Sequence, residues 1–340
     1  MTPSVRKDRG LFCWKGERTL IEKPMDVLTA HPVRKGKRRK QAFREDLQAY
    51  LQTLGYEMTV EKGGLGTQHL VFGNPESAEY LVTAHYDTCA ALPFPNLITP
   101  CNFALYLLYQ LLIVAMMFAV VLTGGFLVHL MTNHAFVAFW ATYFLLLIFL
   151  ALLMVGPANR SNANDNTSGV AAVLEIARSL PASQRKQVCF VLFDLEEAGL
   201  FGSASYRKAH KKQTDHQILL NLDCVGDGDE ILLFPTGKLR KDTEKMNLLC
   251  RLETVCGEKS VTLRKKGFSL YPSDQANFPY GVGIAALHRS KWAGLYLGRI
   301  HTNRDTVLEE DNVNILRSAI VNLIGGSTEE TRKELAHETV

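Results

Sequence analysis

The segment from Thr88 to Asn159 contains no Asp, Glu, Lys or Arg over 72 consecutive residues. Charged residues make up 21% of the chain, so about 15 would be expected in a segment of this length. Two apolar runs of 22 residues lie within it, at about 102–123 and 134–155. As a helix, each run would measure roughly 33 Å, which is enough to cross the hydrocarbon core of a bilayer. The segment therefore predicts a transmembrane hairpin whose turn contains Gly124 and Gly125.

A buried helical hairpin inside a soluble core is the alternative interpretation, but uninterrupted apolar stretches of this length are uncommon in soluble cores. The link between the runs has no Lys or Arg, whereas Arg160 follows the second run. This bias places the flanking parts of the chain in the cytosol. The N-terminal sequence lacks the apolar stretch of a secretory signal, and the seven cysteines include no Cys-x-x-Cys pair. Both features favour a reducing, cytosolic setting for the rest of the chain.

The remaining composition is that of an ordinary folded protein, with 47% apolar residues and a net charge of +4. A charge this small gives no indication of a nucleic-acid partner, and we expect none. One short run, Arg34–Lys40 with the sequence RKGKRRK, is strongly basic. It is compatible with the exposed start of a helix or with a contact to anionic lipid. No feature of the sequence sets the oligomeric state.

Outside the uncharged segment, strand-like stretches alternate with amphipathic helices, which predicts an α/β fold. The run KQVCFVLFDL at 186–195 is almost continuously apolar, as expected for a central strand that is covered on both faces. Helices are predicted over 240–256 and 309–324, among others. We therefore predict a three-layer sandwich with a mostly parallel, mixed central sheet.

Removing residues 88–159 leaves the α/β pattern continuous, so the hairpin is predicted to be an insertion into one catalytic domain. The predicted division of the chain follows from this and has four parts. They are an N-terminal extension (1–32), the catalytic domain (33–87 and 157–325), the inserted hairpin (88–156) and a C-terminal tail (326–340).

Five short acidic or histidine motifs appear at or just beyond the predicted strand ends. They are His85-Tyr-Asp87, Asp165-Asn166, Glu196-Glu197, Asp223 and His301. Sites in open α/β sheets form where such strand ends converge. Histidine and carboxylate ligands suit Zn²⁺, and a carboxylate can bridge two ions. Each motif alone is a weak signal, but their order and placement together predict a metal site.

These motifs resemble those of a known enzyme family. The stretches TAHYDT, NANDNTSGVAAVLEIAR, FVLFDLEEAGLFGSASY, LNLDCVG, SDQANF and RIHTNRDT are similar to the successive motifs of the zinc-dependent aminopeptidases with two co-catalytic metals, metallopeptidase family 28. The resemblance covers about residues 33–87 and 157–325. It implies a zinc exopeptidase-like fold and two bound Zn²⁺ ions, although the donor set does not distinguish zinc from cobalt or manganese.

The resemblance also implies which side chains bind the two ions. They are His85, Asp165, Glu197, Asp223 and His301. Asp165 would bridge the ions, so that each ion has three protein ligands and keeps an open position. Two ions roughly 3.5–4 Å apart can hold one hydroxide between them and stabilise the developing oxyanion.

Two further carboxylates take roles from the same resemblance. The resemblance implies that Glu196 is the general base. The side chains of adjacent residues diverge, so Glu196 can stay free while Glu197 binds metal. Asp87 would hold the ring of His85 in its metal-binding tautomer. Asp274 is expected to tune the site. Gln275 departs from the family, which often has a histidine at this position.

The hairpin imposes a geometric requirement on the site. His85 precedes the hairpin and Asp165 follows it, yet both must reach one metal, so the chain must return to the side that it left. Two spans achieve this, whereas a single span would separate the ligands by a bilayer. The active site would then lie close to the membrane surface.

The sequence thus predicts a membrane-anchored exopeptidase with two spans that faces the cytosol and releases N-terminal residues from peptides. The lipid bilayer is its predicted partner, and an apolar or acylated peptide or amide remains open as the substrate. Glutaminyl-cyclase-like or amide-deacylase chemistry on the same scaffold is one alternative. A non-catalytic, receptor-like relative is another, although such proteins usually lose ligands or the base, and here all are present.

Overall fold

The computed structural model describes residues 11–14 and 17–337, which form twelve strands and nine α-helices. The strands are β1 (Leu11–Trp14), β2 (Glu17–Leu20), β3 (Met58–Lys62), β4 (Gln68–Gly73), β5 (Tyr80–His85), β6 (Val188–Phe193), β7 (Ile218–Leu222), β8 (Glu230–Pro235), β9 (Thr254–Cys256), β10 (Lys259–Leu263), β11 (Gly281–Ser290) and β12 (Gly294–Tyr296). The helices are α1 (Pro24–Ala30), α2 (Lys37–Thr53), α3 (Phe103–Thr132), α4 (Ala135–Val155), α5 (Gly169–Ser179), α6 (Phe201–Ala209), α7 (Lys211–Thr214), α8 (Thr243–Leu249) and α9 (Glu310–His337).

Ten strands form one mixed sheet in the order β3-β4-β6-β5-β7-β11-β8-β10-β9, with β12 paired to β11. The central strands β6, β5, β7 and β11 run parallel to one another, as do β8 and β10. Strands at both margins pair antiparallel. The prediction of a mixed sheet with a mostly parallel centre is confirmed.

Helices cover both faces of this sheet. Along β6, Phe190 and Leu192 belong to a large core shared with α1, α2, α5 and α9, while Val191 and Phe193 belong to a smaller core with Tyr206 of α6. Alternate side chains of a strand point to opposite faces, so a strand covered on both sides is apolar at every position. This explains the uninterrupted apolar run that predicted a central strand.

The long helices α3 and α4 form the hairpin and are joined by Asn133 and His134. Asn133 has φ 51°, the left-handed conformation that commonly ends a helix. The helix α3 continues past the predicted first span (102–123) to Thr132, and Gly124 and Gly125 lie inside it. A Cβ atom at Gly125 would lie 1.8 Å from the Thr142 side chain of α4, so the glycine permits close packing of the two helices.

The surfaces of α3 and α4 are exposed rather than packed inside the protein. Only 11% of the most apolar stretch of α3 and 6% of that of α4 is buried, and both helices are long and apolar enough to cross a membrane. A helix inside a soluble core would be mostly buried. The part of the chain that the structure describes therefore does not bury the hairpin in its own core.

Two helices lie outside or cross the predicted margins of the catalytic domain. α1 lies in the predicted N-terminal extension, yet Val27 and Leu28 are buried in the large core. At the other end, α9 runs to His337 and passes the predicted boundary at 325.

The predicted helix over 240–256 is also shorter than expected. Only Thr243–Leu249 is α-helical, and Thr254–Cys256 forms the edge strand β9. The β-branched Thr254 and Val255 favour an extended backbone, and pairing with β10 satisfies it.

Candidate metal centre

The carboxyl ends of three adjacent parallel strands supply four of the predicted site residues. His85 is the last residue of β5. Glu196 and Glu197 follow β6, and Asp223 follows β7. Because parallel strands end at the same edge of a sheet, these side chains meet there.

Asp165 reaches the same edge from the tight turn Ala163–Ser168, which leads into α5. The carboxylate of Asp305 accepts hydrogen bonds from the backbone N–H groups of Asn164 (2.7 Å) and Asp165 (3.0 Å). The side-chain oxygen of Asn166 accepts from the backbone N–H groups of Gly169 (3.0 Å) and Cys224 (3.3 Å). The turn is thus fixed both to the His301–Asp305 segment and to the end of β7.

The Asp165 carboxylate lies between two histidine rings. Its Oδ1 is 3.3 Å from Nε2 of His85, and its Oδ2 is 3.0 Å from Nε2 of His301. A further carboxylate stands beside each ring: Asp223 is 3.6 Å from His85, and Glu197 is 3.4 Å from His301. The five predicted ligands therefore come together as two groups that share Asp165.

The two connections of the hairpin bring His85 and Asp165 to the same side. Ala90, which precedes the hairpin, forms an antiparallel bridge with Ala158, which follows it. The backbone N–H of Ala91 donates to the carbonyl of Pro157 at 2.8 Å. The chain returns to the point where it left the sheet, as the geometric argument from the sequence required.

Asp87 contacts the site in more ways than expected. Its carboxylate accepts from the backbone N–H groups of Glu196 (3.2 Å) and Glu197 (3.4 Å), which fixes the loop that follows β6. The Nδ1 atom of His85 is 3.3 Å from the carbonyl oxygen of Asp87 and 3.7 Å from its carboxylate. The backbone carbonyl is therefore the nearer support for the ring.

Burial and mutual repulsion set the pKa values of the acidic groups. Burial raises the pKa values of Glu196 and Glu197 well above the usual range of a glutamate, and nearby carboxylates raise them further. Burial also favours the neutral form of Asp165, but hydrogen bonds with His301 and His85 outweigh it and hold the pKa of Asp165 below its usual value. A cation bound among these groups would favour the charged form of each carboxylate.

Two buried oxygen atoms bear on whether metal ions fit this site. Oε1 of Glu197 and Oδ1 of Asp223 are buried and have no hydrogen-bond partner among the residues that the structure describes. A buried carboxylate oxygen without a partner is costly unless a cation compensates it. His85, Asp165 and Asp223 have ligand atoms within 4.8 Å of one another. The donor set and the unpaired oxygens therefore fit bound cations.

Cys89, Glu197 and His301 form a second group of ligand atoms within 4.8 Å of one another. The sequence analysis did not select Cys89. It lies on the connection that leads into the hairpin, and burial raises the pKa of its thiol well above the usual range, which favours the neutral form. Cys89 therefore lies beside two of the predicted ligands, Glu197 and His301.

A cavity of about 270 Å³ opens beside the five predicted ligands. Its non-acidic wall is largely apolar and includes Ile98, Leu200, Cys224, Tyr271, Pro272 and Ile300. Asn96 and Ile98 come from the connection between β5 and α3, which is held by hydrogen bonds from Asn96 N to Ile300 O (3.3 Å) and from Leu92 N to His301 O (2.8 Å). The segment that leads to the hairpin thus forms part of the cavity wall.

The structure assigns supporting positions to residues that sequence reasoning treated briefly or missed. Asp305 belongs to the RIHTNRDT motif, but nothing in the sequence showed that it holds Asp165. Gln275 is buried and links the Asn221 side chain to the carbonyl of Tyr271, so it supports the cavity wall without facing the cavity. Asp274 is buried, and burial together with Asp223 raises its pKa to about 7.

The chain is similar in sequence and in fold to known proteins. The model of peptidase family M28 matches residues 152–323, about half of the 340-residue chain. Aminopeptidase YwaD of Bacillus subtilis (strain 168) is 40% identical over 67 residues, which are 19% of this chain and 15% of that protein. The match therefore spans less than a fifth of that relative's length.

Two solved structures share the fold. LapA of Legionella pneumophila superposes with a TM-score of 0.54 at 14% identity, over 89% of this chain and 72% of that chain. A glutaminyl cyclase of Tannerella forsythia superposes with a TM-score of 0.51 at 14% identity, over 89% of this chain and 97% of that chain. At these identities the similarity shows a common architecture.

Proposed function

The chain belongs to peptidase family M28, and from that premise we propose that it is a zinc-dependent aminopeptidase with two metal sites, anchored in a membrane by the α3–α4 hairpin. One observation carries the proposal. The Asp165 carboxylate has an oxygen within 3.3 Å of His85 and the other within 3.0 Å of His301, which is the placement expected of a bridging ligand. Asp223 would complete the His85 site and Glu197 the His301 site.

The chemistry that bound zinc supplies is Lewis acidity, which lowers the pKa of a water molecule and polarises the carbonyl of the scissile amide. Glu196 would take the proton of the attacking water and deliver it to the leaving amine. Its carboxylate is 4.0 Å from Nε2 of His85 on the cavity wall, and Asp87 fixes its backbone.

The cavity favours an apolar group at the cleaved end of the substrate. Ile98, Tyr271 and Ile300 line it, and the hydroxyl of Tyr271 is already occupied by a hydrogen bond to the carbonyl of Asp223 (3.0 Å). An N-terminal residue with an apolar side chain would bury its surface there without leaving a polar group unpaired.

The cavity would also lie near the lipid surface. α3 has 30 residues and α4 has 21, so from their common turn α3 extends nine residues, or about 13 Å, beyond the end of α4. Within this extension, Tyr109 donates a hydrogen bond to the carbonyl of Pro95, the neighbour of the cavity residue Asn96. Leu107 and Leu108 are exposed on the same turns. We therefore propose that apolar or acylated peptides are taken from the membrane interface.

The proposed side of the membrane is the cytosol. Asn133 and His134 join the two helices without Lys or Arg, whereas Arg160 and the basic run Arg34–Lys40 flank the hairpin in the catalytic domain. Cys256 is exposed on the catalytic domain and offers a direct test. In a Cys13→Ser background, a membrane-impermeant maleimide should label Cys256 only after cells are permeabilised, and Cys256→Ser should abolish the signal. Labelling of intact cells would place the domain outside.

Cyclisation of N-terminal glutamine is the competing function, supported by the fold that this chain shares with a glutaminyl cyclase over 97% of that protein. The presence of both ligand groups around Asp165 favours hydrolysis with two ions. Metal analysis of the purified protein separates the two functions: about two zinc ions per chain support the aminopeptidase, and one supports the cyclase.

The experiment that tests the proposal is digestion of a peptide library by the full chain in detergent with added zinc. We expect loss of single N-terminal residues, preferentially apolar ones, and inhibition by a chelator. A matched pair of peptides, with and without a C-terminal acyl chain, should then show a higher kcat/KM for the acylated member in lipid vesicles. If fully metallated protein released no amine from any peptide, the proposal would fail.

A further inference from the structure

The basic run Arg34–Lys40 divides into two sets with different environments. Arg34 is fully buried and donates to the carbonyls of Tyr86 (2.7 Å) and His31 (3.0 Å), and Lys40 is buried against Asp194. These two cations belong to the core. The remaining cations of the run are therefore the ones available to a partner.

Lys37, Arg38 and Arg39 are exposed in the first turn of α2. None of them has a carboxylate partner in the part of the chain that the structure describes. The first turn of α2 also holds no acidic residue, and Gly36 provides no side-chain cap. Cations at a helix N-terminus oppose the helix dipole and destabilise the helix. Their presence is not explained by the stability of α2.

The position of this turn relative to the hairpin indicates what it meets. Lys35 donates a hydrogen bond of 3.1 Å to the carbonyl of Met154, in the last turn of α4. Lys37 follows two residues later. Arg160, exposed after the end of α4, lines a small cavity together with Pro32. Four exposed cations, Lys37, Arg38, Arg39 and Arg160, thus lie on the two chain segments that adjoin the end of α4.

We propose that Lys37, Arg38, Arg39 and Arg160 form a cationic patch that binds the headgroups of anionic phospholipids. The inference rests on the proposed insertion of the hairpin, because insertion brings the end of α4 to the headgroup layer. Lys and Arg side chains near an anionic membrane surface are attracted to it, and the N-terminus of α2 adds to the same positive potential. The patch would hold the catalytic domain against the membrane in one orientation.

The test uses the full chain in nanodiscs of phosphatidylcholine, alone or mixed with phosphatidylglycerol, and measures amide hydrogen exchange over residues 35–42. Phosphatidylglycerol should slow exchange in the unmodified protein, and high salt should remove the effect. The variant Lys37→Ser/Arg38→Ser/Arg39→Ser should lose this response. The control Lys208→Ser/Lys211→Ser/Lys212→Ser, which removes the same charge from the exposed residues of α6, α7 and their junction, should keep it.

Several outcomes would overturn the proposal. One is a rate of amide hydrogen exchange that does not depend on phosphatidylglycerol. Another is slowing by phosphatidylglycerol that persists in the Lys37–Arg39 variant. A third is equal protection by inorganic phosphate with phosphatidylcholine nanodiscs, which would indicate a site for free anions. Peptidase activity in detergent should be unchanged in the variant, which shows that it folds. Failure of the hairpin to insert would be seen separately, as protein that does not enter nanodiscs of either composition.

Discussion

The metal centre and the hairpin depart from the usual distribution of side chains in opposite directions. At the centre, His85, Asp165 and Asp223 are each no more than 5% exposed. On the hairpin, Met131 is 86% exposed and Val155 is 76% exposed. Buried carboxylates need a compensating charge, and a continuous apolar surface needs an apolar partner. The two regions therefore need partners of opposite kinds, a positive charge at the centre and an apolar surface at the hairpin.

Glu196→Gln tests the catalytic side of this comparison and should have the largest effect. The change removes the proposed base but none of the five proposed ligands. We expect turnover of a peptide substrate to fall about 10²–10⁴-fold, because general-base catalysis contributes that much. The zinc content of the purified protein, measured by atomic emission on the same sample, should stay at the level of the unmodified protein.

The exposed residue Glu57 provides the matched control, and Glu57→Gln should leave both turnover and zinc content unchanged. Glu196 also lies within ligand distance of His85 and Glu197. If Glu196→Gln lost zinc together with activity, the roles of the two adjacent glutamates would have to be exchanged.

Asp305→Asn should weaken metal binding without removing a ligand. Asp305 accepts two backbone hydrogen bonds from the turn that carries Asp165, and an amide NH₂ group cannot accept the second of them. Loss of such outer support typically costs about 10–100-fold in metal affinity. Zinc affinity measured by competition with a chelator should fall by that factor, while Asp311→Asn, on an exposed residue at the start of α9, should have no effect. An unchanged affinity would show that the turn holds Asp165 without Asp305.

The same contrast explains how much could be predicted from the sequence. His85, Glu196, Glu197 and Asp223 were predictable because chemistry and strand ends coincide in the chain, and parallel strands end together. The role of Asp305 was not predictable. Its carboxylate accepts a hydrogen bond from a backbone N–H group 140 residues away in the chain, and such a contact leaves no motif in the nearby sequence.

In the hairpin, composition predicted two long apolar helices but not where the first one ends. The adjacent glycines Gly124 and Gly125 predict a turn, since glycine commonly interrupts helices in water. In the structure they lie inside α3, where the absence of a side chain at Gly125 admits Thr142 of α4. Glycine at a helix interface and glycine in a turn look alike in a single sequence.

His69 is a buried polar side chain of the catalytic domain, and it gives a pH-dependent test of the stability of that domain. Its ring is 2% exposed, packed edge-on against Phe193 and Tyr206, and burial lowers its pKa from 6.5 to about 4. Between these pH values the unfolded chain binds a proton at His69 that the folded protein does not bind. The free energy of unfolding therefore has its full value above about pH 6.5 and falls as the pH is lowered. The loss should be about 1.4 kcal/mol for each pH unit within this window.

His69→Phe should remove this slope. Thermal unfolding of the catalytic domain, followed in detergent between pH 7 and pH 5, should show the variant losing less stability than the unmodified protein as the pH falls. The exposed His216→Phe is the control and should retain the original slope. Parallel pH profiles for His69→Phe and the unmodified protein would show that His69 is not the group responsible.

The smallest expected effect belongs to the hairpin and depends on its two adjacent glycines. A Cβ atom at Gly125 would lie 1.8 Å from Oγ1 and 3.1 Å from Cβ of Thr142, so the helices must separate to accept Gly125→Ala. A Cβ atom at Gly124 would meet only the end of the Leu145 side chain, at 2.7 Å, and that chain can rotate away. Overpacking of a tight contact costs about 1–3 kcal/mol. Gly125→Ala should therefore make the hairpin less resistant to protease in detergent, while Gly124→Ala should change this resistance little.

Because Tyr109 joins α3 to Pro95 beside the cavity, Gly125→Ala should also raise KM for an acylated peptide more than for its unacylated partner. Equal behaviour of the two glycine variants would mean that the contact with α4 does not position α3, and the hairpin would then serve as an anchor without contributing to the site.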